Sequence, residues 1–172
     1  MDGRLTTIEL FKENQKFSAG HFTIFSATDR ENLHGHNFTI YAALTGVVGP
    51  NGLMADYGRF KKQISEMCET WNETFMLPGR SPYLRIERTD GGVIAHYADE
   101  KIPFLARDIT VLPVSNVTIE ELARLFGERL TADPDALARL AVVGVEVKCA
   151  SGPGQWACWR WSAATSPTEE RP

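Results

Sequence analysis

Three of the four histidines in this 172-residue chain fall close together, and two of them flank a single glycine, His34-Gly35-His36, at the head of the run HNFTIYAAL. In a strand, residues two apart project from the same face, so these two imidazoles leave one side together. His21 closes the upstream segment FSAGH, and Asp29 and Asn32 between them suit a turn that returns one strand beside the other. Three imidazoles on one face offer three ligands to zinc and leave a fourth position open for water or substrate. That arrangement is the one a catalytic zinc site needs and a structural site lacks. The competing reading, unrelated surface or core histidines, fits poorly with an H-x-H inside an alternating apolar run whose third partner is near.

The rest of the chain predicts strands and helices in a mixed order. TIELFKENQKFSAGHFT alternates as one strand and NFTIYAALTGVV as the next, with GPNG as a turn. Helical spacing then takes over through ADYGRFKKQISEMCETWNETFMLP, where Phe60, Ile64, Met67 and Trp71 recur three and four residues apart. Residues 79–110 read as an inserted hairpin turning at Asp90-Gly91-Gly92, followed by an extended segment. A second helix starts near Thr118, which with Glu121 forms a capping box. AVVGVEVKCASGPGQWACWRWSA closes as strand, Gly-Pro-Gly turn and strand, with Trp156, Trp159 and Trp161 straddling both faces. The expectation is one domain over residues 1–162 and a disordered polar tail over 163–172.

Composition narrows the function. With 43% hydrophobic and 23% charged residues and a formal net charge of −4, the chain has no basic stripe for nucleic acid. No apolar run reaches the length of a membrane span, and MDGRLTTIELFKEN does not read as a signal peptide. Cys68, Cys149 and Cys158 are odd in number and lack CxxC spacing, which points to reduced thiols and a cytoplasmic location.

Several segments resemble the 6-pyruvoyl-tetrahydropterin synthase family, which includes the bacterial 6-carboxytetrahydropterin synthases. FSAGH is similar to the family's F-x-A-x-H, LHGHNF to its H-G-H segment and MADYGRFKK to V-x-D-F-x-x-L-K. NVTIEELA is similar to N-P-T-x-E-N-L-A, and SGPGQWACW to E-T-P-x-x-x-A-x-Y. The resemblance implies an α+β tunnelling fold (T-fold): antiparallel strand pairs with two helices on one face, closed into a barrel by a homo-trimer or stacked homo-hexamer. It also implies Zn2+ on His21, His34 and His36, a pterin-like substrate, and ring contacts from Thr118, Ile119 and Glu120.

The departures from the family pattern redirect the chemistry. Arg30 stands where the family has a cysteine shortly before H-G-H, and arginine stays protonated. Glu31 follows, giving E-x-x-H-G-H, which resembles a branch in which glutamate replaces that cysteine. Asn72 and Glu73 stand for the family's Asp-His pair, and Ser151 for the glutamate that grips the pterin ring. Two readings of Glu31 stand: a carboxylate that takes a proton from a zinc-bound substrate hydroxyl, and a solvated loop carboxylate beside Arg30. The expectation is a zinc-dependent carbon–oxygen or carbon–carbon lyase acting on a pterin or related hydroxylated heterocycle. Glu31, with Glu73 as a second candidate, transfers the proton. The alternative is a non-catalytic T-fold protein that holds zinc and a non-pterin metabolite.

Overall fold

The computed structural model describes residues 4–54 and 56–163. The elements run β1 (Leu5–Leu10), β2 (Lys16–His21), β3 (His34–Val47), α1 (Gly58–Trp71), β4 (Thr74–Pro78), β5 (Leu84–Thr89), β6 (Gly92–Tyr97) and β7 (Glu100–Phe104). They continue with β8 (Ile109–Leu112), α2 (Ile119–Thr131), α3 (Pro134–Arg139), β9 (Val142–Ala150) and β10 (Ala157–Ser162). The architecture is α+β, as the sequence leads one to expect. The tail expected from residue 163 lies outside the described residues from 164 onward. Ala163 itself is tied back, its N–H donating to the Val143 carbonyl at 2.9 Å.

β3 is the spine of the main sheet. β9 runs antiparallel along one edge, pairing Thr39 with Ala150, and β10 continues outward from β9. Along the other edge lie β2, which pairs His21 with His34, and β1, which pairs Leu10 with Ala42. The single strand expected over residues 7–23 is therefore two, interrupted where the Gln15 N–H bonds the Lys12 carbonyl. Gln15 is 1% exposed, and its side-chain oxygen accepts the Lys12 N–H, so the excursion is stitched into the sheet.

The sheet is not antiparallel throughout. β4 joins β2 in parallel and β8 joins β4 in parallel. The helical pattern expected to run on past Trp71 stops there, and residues 74–78 are strand. Asn72 is extended at φ −64°, ψ 137°, and its side-chain oxygen accepts the Ser18 N–H at 2.9 Å, pulling the chain onto the edge of β2. The expected hairpin is likewise larger: β5, β6 and β7 form a separate three-stranded antiparallel sheet.

The even-numbered side chains of β3 from Phe38 to Leu44 are buried, and on this face they meet Phe17 of β2, Ile64 and Trp71 of α1 and Phe126 of α2. Phe17 stacks on Phe38 at 5.1 Å between ring centroids and meets Trp71 edge-on at 5.6 Å, offset geometries that aromatic rings prefer. A second, smaller core joins Phe22, Ile24 and Leu77 to Leu84, Val93, Ala95 and Tyr97, fastening the three-stranded sheet to the main body. Trp159 and Trp161 pack against the main core on one face of β10, while Trp156 precedes the strand and is exposed. The three tryptophans thus do not straddle β10, because only two of them are in it. No helix among the described residues is long and apolar enough to cross a membrane.

Candidate metal centre and active site

The helix-facing stripe that begins with Phe38 and Phe17 continues, toward the open end of β2 and β3, into His36, His34 and His21. The antiparallel register sets His21 opposite His34 and His36 opposite Ala19. A chain that alternates Phe, Ala, His on β2 and His, His, Phe on β3 must put all three imidazoles on the core-facing side. The ligating nitrogens of the three lie within 4.8 Å of one another.

Hydrogen bonds to two of the rings fix their tautomers. His21 Nδ1 lies 2.9 Å from the Val117 carbonyl and His34 Nδ1 lies 2.8 Å from the Asn32 carbonyl. A carbonyl only accepts, so each Nδ1 carries the proton and each neutral ring presents a bare Nε2. The His21 Nε2 is buried with no hydrogen-bond partner among the described residues, an orphaned acceptor of the kind a metal ion satisfies. The His34 and His36 Nε2 atoms stand 3.1 Å apart. Two imidazoles on one tetrahedral zinc, at bond lengths of about 2.0–2.1 Å, have nitrogens about 3.3 Å apart. The three residues therefore fit a zinc ion, and the Val117 and Asn32 carbonyls orient two of the rings as metal-binding histidines require. Burial lowers the pKa of His21, and the His34 and His36 rings lower it further against the raising effect of the Val117 carbonyl. Burial and His34 lower that of His36 as well. Both shifts favour the neutral, ligating form.

Glu31 is the carboxylate beside this cluster. Its backbone N–H donates to the Thr23 carbonyl at 2.9 Å, and its Oε2 accepts the Thr23 N–H at 2.9 Å. The same oxygen stands 3.9 Å from His34 Nε2. Burial pushes the Glu31 pKa up, but the Thr23 hydrogen bonds and the neighbouring imidazoles outweigh it and hold the carboxyl below its ordinary range. Arg30 points away. Its guanidinium pairs with Glu100, with Nε 2.9 Å from the carboxylate.

The remaining expected site residues are placed differently. Glu73 does not join the histidine cluster. It lines a groove of about 480 Å³ with the outward residues Ser18, Gly20, Gly35 and Asn37, next to Asp108 and His36. Its φ of 58° is left-handed, a conformation a non-glycine side chain adopts at some strain, and its N–H donates to the Ser18 carbonyl at 2.7 Å. Thr118 caps α2, accepting the Glu121 N–H, directly after the Val117 that holds His21. Glu121 turns to Arg124 rather than completing the capping box. Ile119 and Glu120 form the first turn of α2. Ser151 leaves β9 just past Ala150, which faces Thr39, so the antiparallel chain heads toward the histidine end of β3.

Sequence reasoning missed Asn116. Its side chain bonds both the N–H and the C=O of Ile24, at 3.1 and 2.9 Å, and its oxygen also accepts the Val117 N–H. It locks the segment before α2 to the strand exit that follows His21. The available signal was an asparagine two residues before a helix cap.

Fold and site together define an α+β protein whose sheet ends in a cluster of three imidazoles beside the Glu31 carboxylate. The family model described as 6-pyruvoyl tetrahydropterin synthase matches residues 9–160, and the chain belongs to that family. A protein of Methanocaldococcus jannaschii, provisionally named a 6-carboxy-5,6,7,8-tetrahydropterin synthase, is 25% identical over 84% of this chain and 89% of its own length. The 6-pyruvoyl tetrahydropterin synthase of Plasmodium falciparum superimposes with a TM-score of 0.86 at 23% identity, covering 92% of this chain and 99% of that one. That of Plasmodium vivax gives 0.87 at 24% identity over 93% and 99%. The vivax protein has also been solved with a catalytic glutamate changed to alanine and to cysteine. The shared architecture is the tunnelling fold.

Proposed function

We propose that this protein is a zinc-dependent lyase acting on a pterin or related hydroxylated heterocycle, with Glu31 as its principal proton-transfer group. The observation that carries the reading is the Glu31 carboxylate, held by the Thr23 amide 3.9 Å from His34 Nε2. Zinc on His21, His34 and His36, when bound, supplies Lewis acidity toward an oxygen of the substrate side chain. Glu31, ionised at neutral pH, takes a proton from a substrate hydroxyl and returns it during cleavage of a carbon–oxygen or carbon–carbon bond. The vivax relative, in which a glutamate is the catalytic residue, supports a carboxylate in this role.

Thr118, Ile119, Glu120 and Ser151 are assigned to the ring. Thr118 is the nearest of them to the metal centre in sequence, one residue from the carbonyl that orients His21. Glu73 is a second proton-transfer candidate, in the groove that borders His36. Within this proposal residues 1–162 act as one T-fold unit, and trimers or hexamers of it close the barrel in the cytoplasm. The outer edges of β1 and β10, which pair with no strand among the described residues, are surfaces that such closure removes.

Glu31→Gln tests the assignment. The variant should keep its metal and its assembly and lose on the order of 10²–10⁴ in turnover of dihydroneopterin triphosphate. Undiminished turnover would sink the role of Glu31, and a comparable loss confined to Glu73→Gln would move the role there.

A further inference from the structure

The three-stranded sheet β5–β7 contributes no ligand to the metal cluster, yet it grips the loop that carries Glu31. The loop leaves β2 at Phe22, closes on itself where the Phe25 and Ser26 N–H groups both reach the Asp29 carbonyl, and bridges Ile24 to Arg30. Phe22 and Ile24 are sunk in the core that the three-stranded sheet provides. From β6, the Tyr97 hydroxyl donates to the Ser26 carbonyl at 2.9 Å.

Arg30 is the centre of the contact. Its guanidinium carbon lies 5.3 Å from the Phe22 ring centroid and 5.5 Å from that of Tyr97. Its Nε reaches the carboxylate of Glu100, the first residue of β7, at 2.9 Å, and Nη2 pairs with the same oxygen. The remaining nitrogen, Nη1, donates to the backbone carbonyl of Glu31 at 2.7 Å. A planar, permanently charged group with donors in several directions suits two aromatic faces, a carboxylate and a carbonyl at once. A lysine ammonium cannot reproduce that geometry. Glu31 is thus held at three points: its N–H donates to the Thr23 carbonyl, its carbonyl accepts from Arg30, and its Oε2 accepts the Thr23 N–H.

We propose that Arg30 is a positioning residue through which the three-stranded sheet, by Glu100 and Tyr97, sets where the Glu31 carboxylate stands beside His34. The proposal rests on the proton-transfer role assigned to Glu31 above. It gives the inserted sheet a catalytic consequence and gives the arginine at the family's cysteine position a task of its own.

The test uses the full-length, zinc-loaded protein and the variants Arg30→Lys and Glu100→Gln. Amide exchange is the first readout. Protection of the Thr23 and Glu31 amides should fall roughly tenfold in both variants while the amides of Phe38 to Leu44 keep theirs. Turnover of dihydroneopterin triphosphate is the second, because misplaced catalytic groups lose rate rather than binding: kcat should fall about tenfold with KM within about twofold of its starting value. In a Glu31→Gln background, Glu100→Gln should cause no further fall, since the effect passes through Glu31. Unchanged exchange at Thr23 and Glu31 in both variants would overturn the proposal, as would an equal loss of kcat in both backgrounds. Glu31→Gln alone judges the parent reading. Full turnover there defeats the role of Glu31, and the exchange result still decides whether the sheet holds the loop.

Discussion

Gly127 sits in the middle of α2 at the point where the helix lies on β10, and replacing it with alanine sets two effects of opposite sign against each other. A Cβ built there would stand 2.0 Å from Trp159 Cε3, 2.4 Å from Cδ2 and 2.5 Å from Cζ3. Carbon atoms in contact settle at about 3.5–4.0 Å, so the indole or the helix must withdraw by roughly 1.5 Å. The ring cannot simply swing clear, because Trp159 is packed against the main core on the inward side of β10. Overpacking of this kind costs about 1–3 kcal/mol, and an overlap with three ring atoms belongs in the upper half of that range. Against it, alanine is better than glycine inside a helix by about 0.8–1.0 kcal/mol. The net expectation is a destabilisation of about 1–2 kcal/mol, or a Tm lowered by roughly 2–8 °C for a chain of this size. Urea unfolding should show a lower midpoint with an unchanged slope. Adding Trp159→Leu should recover part of the loss, so that the double variant is more stable than the two single effects summed. A Tm equal to or above that of the parent protein would refute the reasoning, since it would mean that propensity wins and that Trp159 does not press on Gly127.

Other outcomes follow from the same geometry. His21 and His36 have folded-state pKa values below their ordinary 6.5, so below that pH the unfolded chain binds protons that the folded chain refuses. Stability of the metal-free protein should therefore be lost as pH falls from about 6.5, and removing both imidazoles (His21→Phe with His36→Phe) should flatten that part of the curve. A slope of the opposite sign would contradict the burial assigned to these rings. The thiols should separate cleanly under a native-state thiol reagent. Cys68, pushed up to about 12 by burial, and Cys149, raised still further by burial, should remain unmodified until the protein is unfolded, leaving at most the exposed Cys158 to react. More than one reactive thiol per folded chain would count against the core as described.

The histidine cluster was legible because its signal is local: a two-residue period on β3 and a third histidine on the adjoining strand leave one registry that brings all three together. The helices were legible for the same reason, Phe60, Ile64 and Trp71 marking the buried face of α1 and Thr118 the start of α2. What stayed hidden depends on partners distant in the chain. Residues 74–78 continue an apolar pattern compatible with helix, and the Asn72 side chain reaching Ser18, with parallel pairing to β2 and β8, makes them a strand. The third strand of the inserted sheet, β7, carries Pro103 and alternates weakly, so its pairing with β6 is decided by the core beneath it. Glu31 reads as a loop carboxylate near the histidines and Glu73 only as the partner of Asn72 near a helix end; the backbone turn at Glu73 sends it to the groove lined by Ser18 and Asn37, while Thr23 draws Glu31 to His34. Arg30 read as a missing catalytic group, and its bond to Glu100, far along the chain, could not be seen without the fold.

The central claim is that His21, His34 and His36 form one zinc site, and elemental analysis of the metal bound to purified protein tests it most directly. The parent protein, stripped and reloaded with zinc, should retain one equivalent per chain after extensive dialysis. His34→Ala removes one of three converging nitrogens and should retain less than about a tenth of that, with the fold intact by circular dichroism. A reloaded parent protein that holds no zinc, or a His34→Ala variant that still holds a full equivalent, would contradict the account.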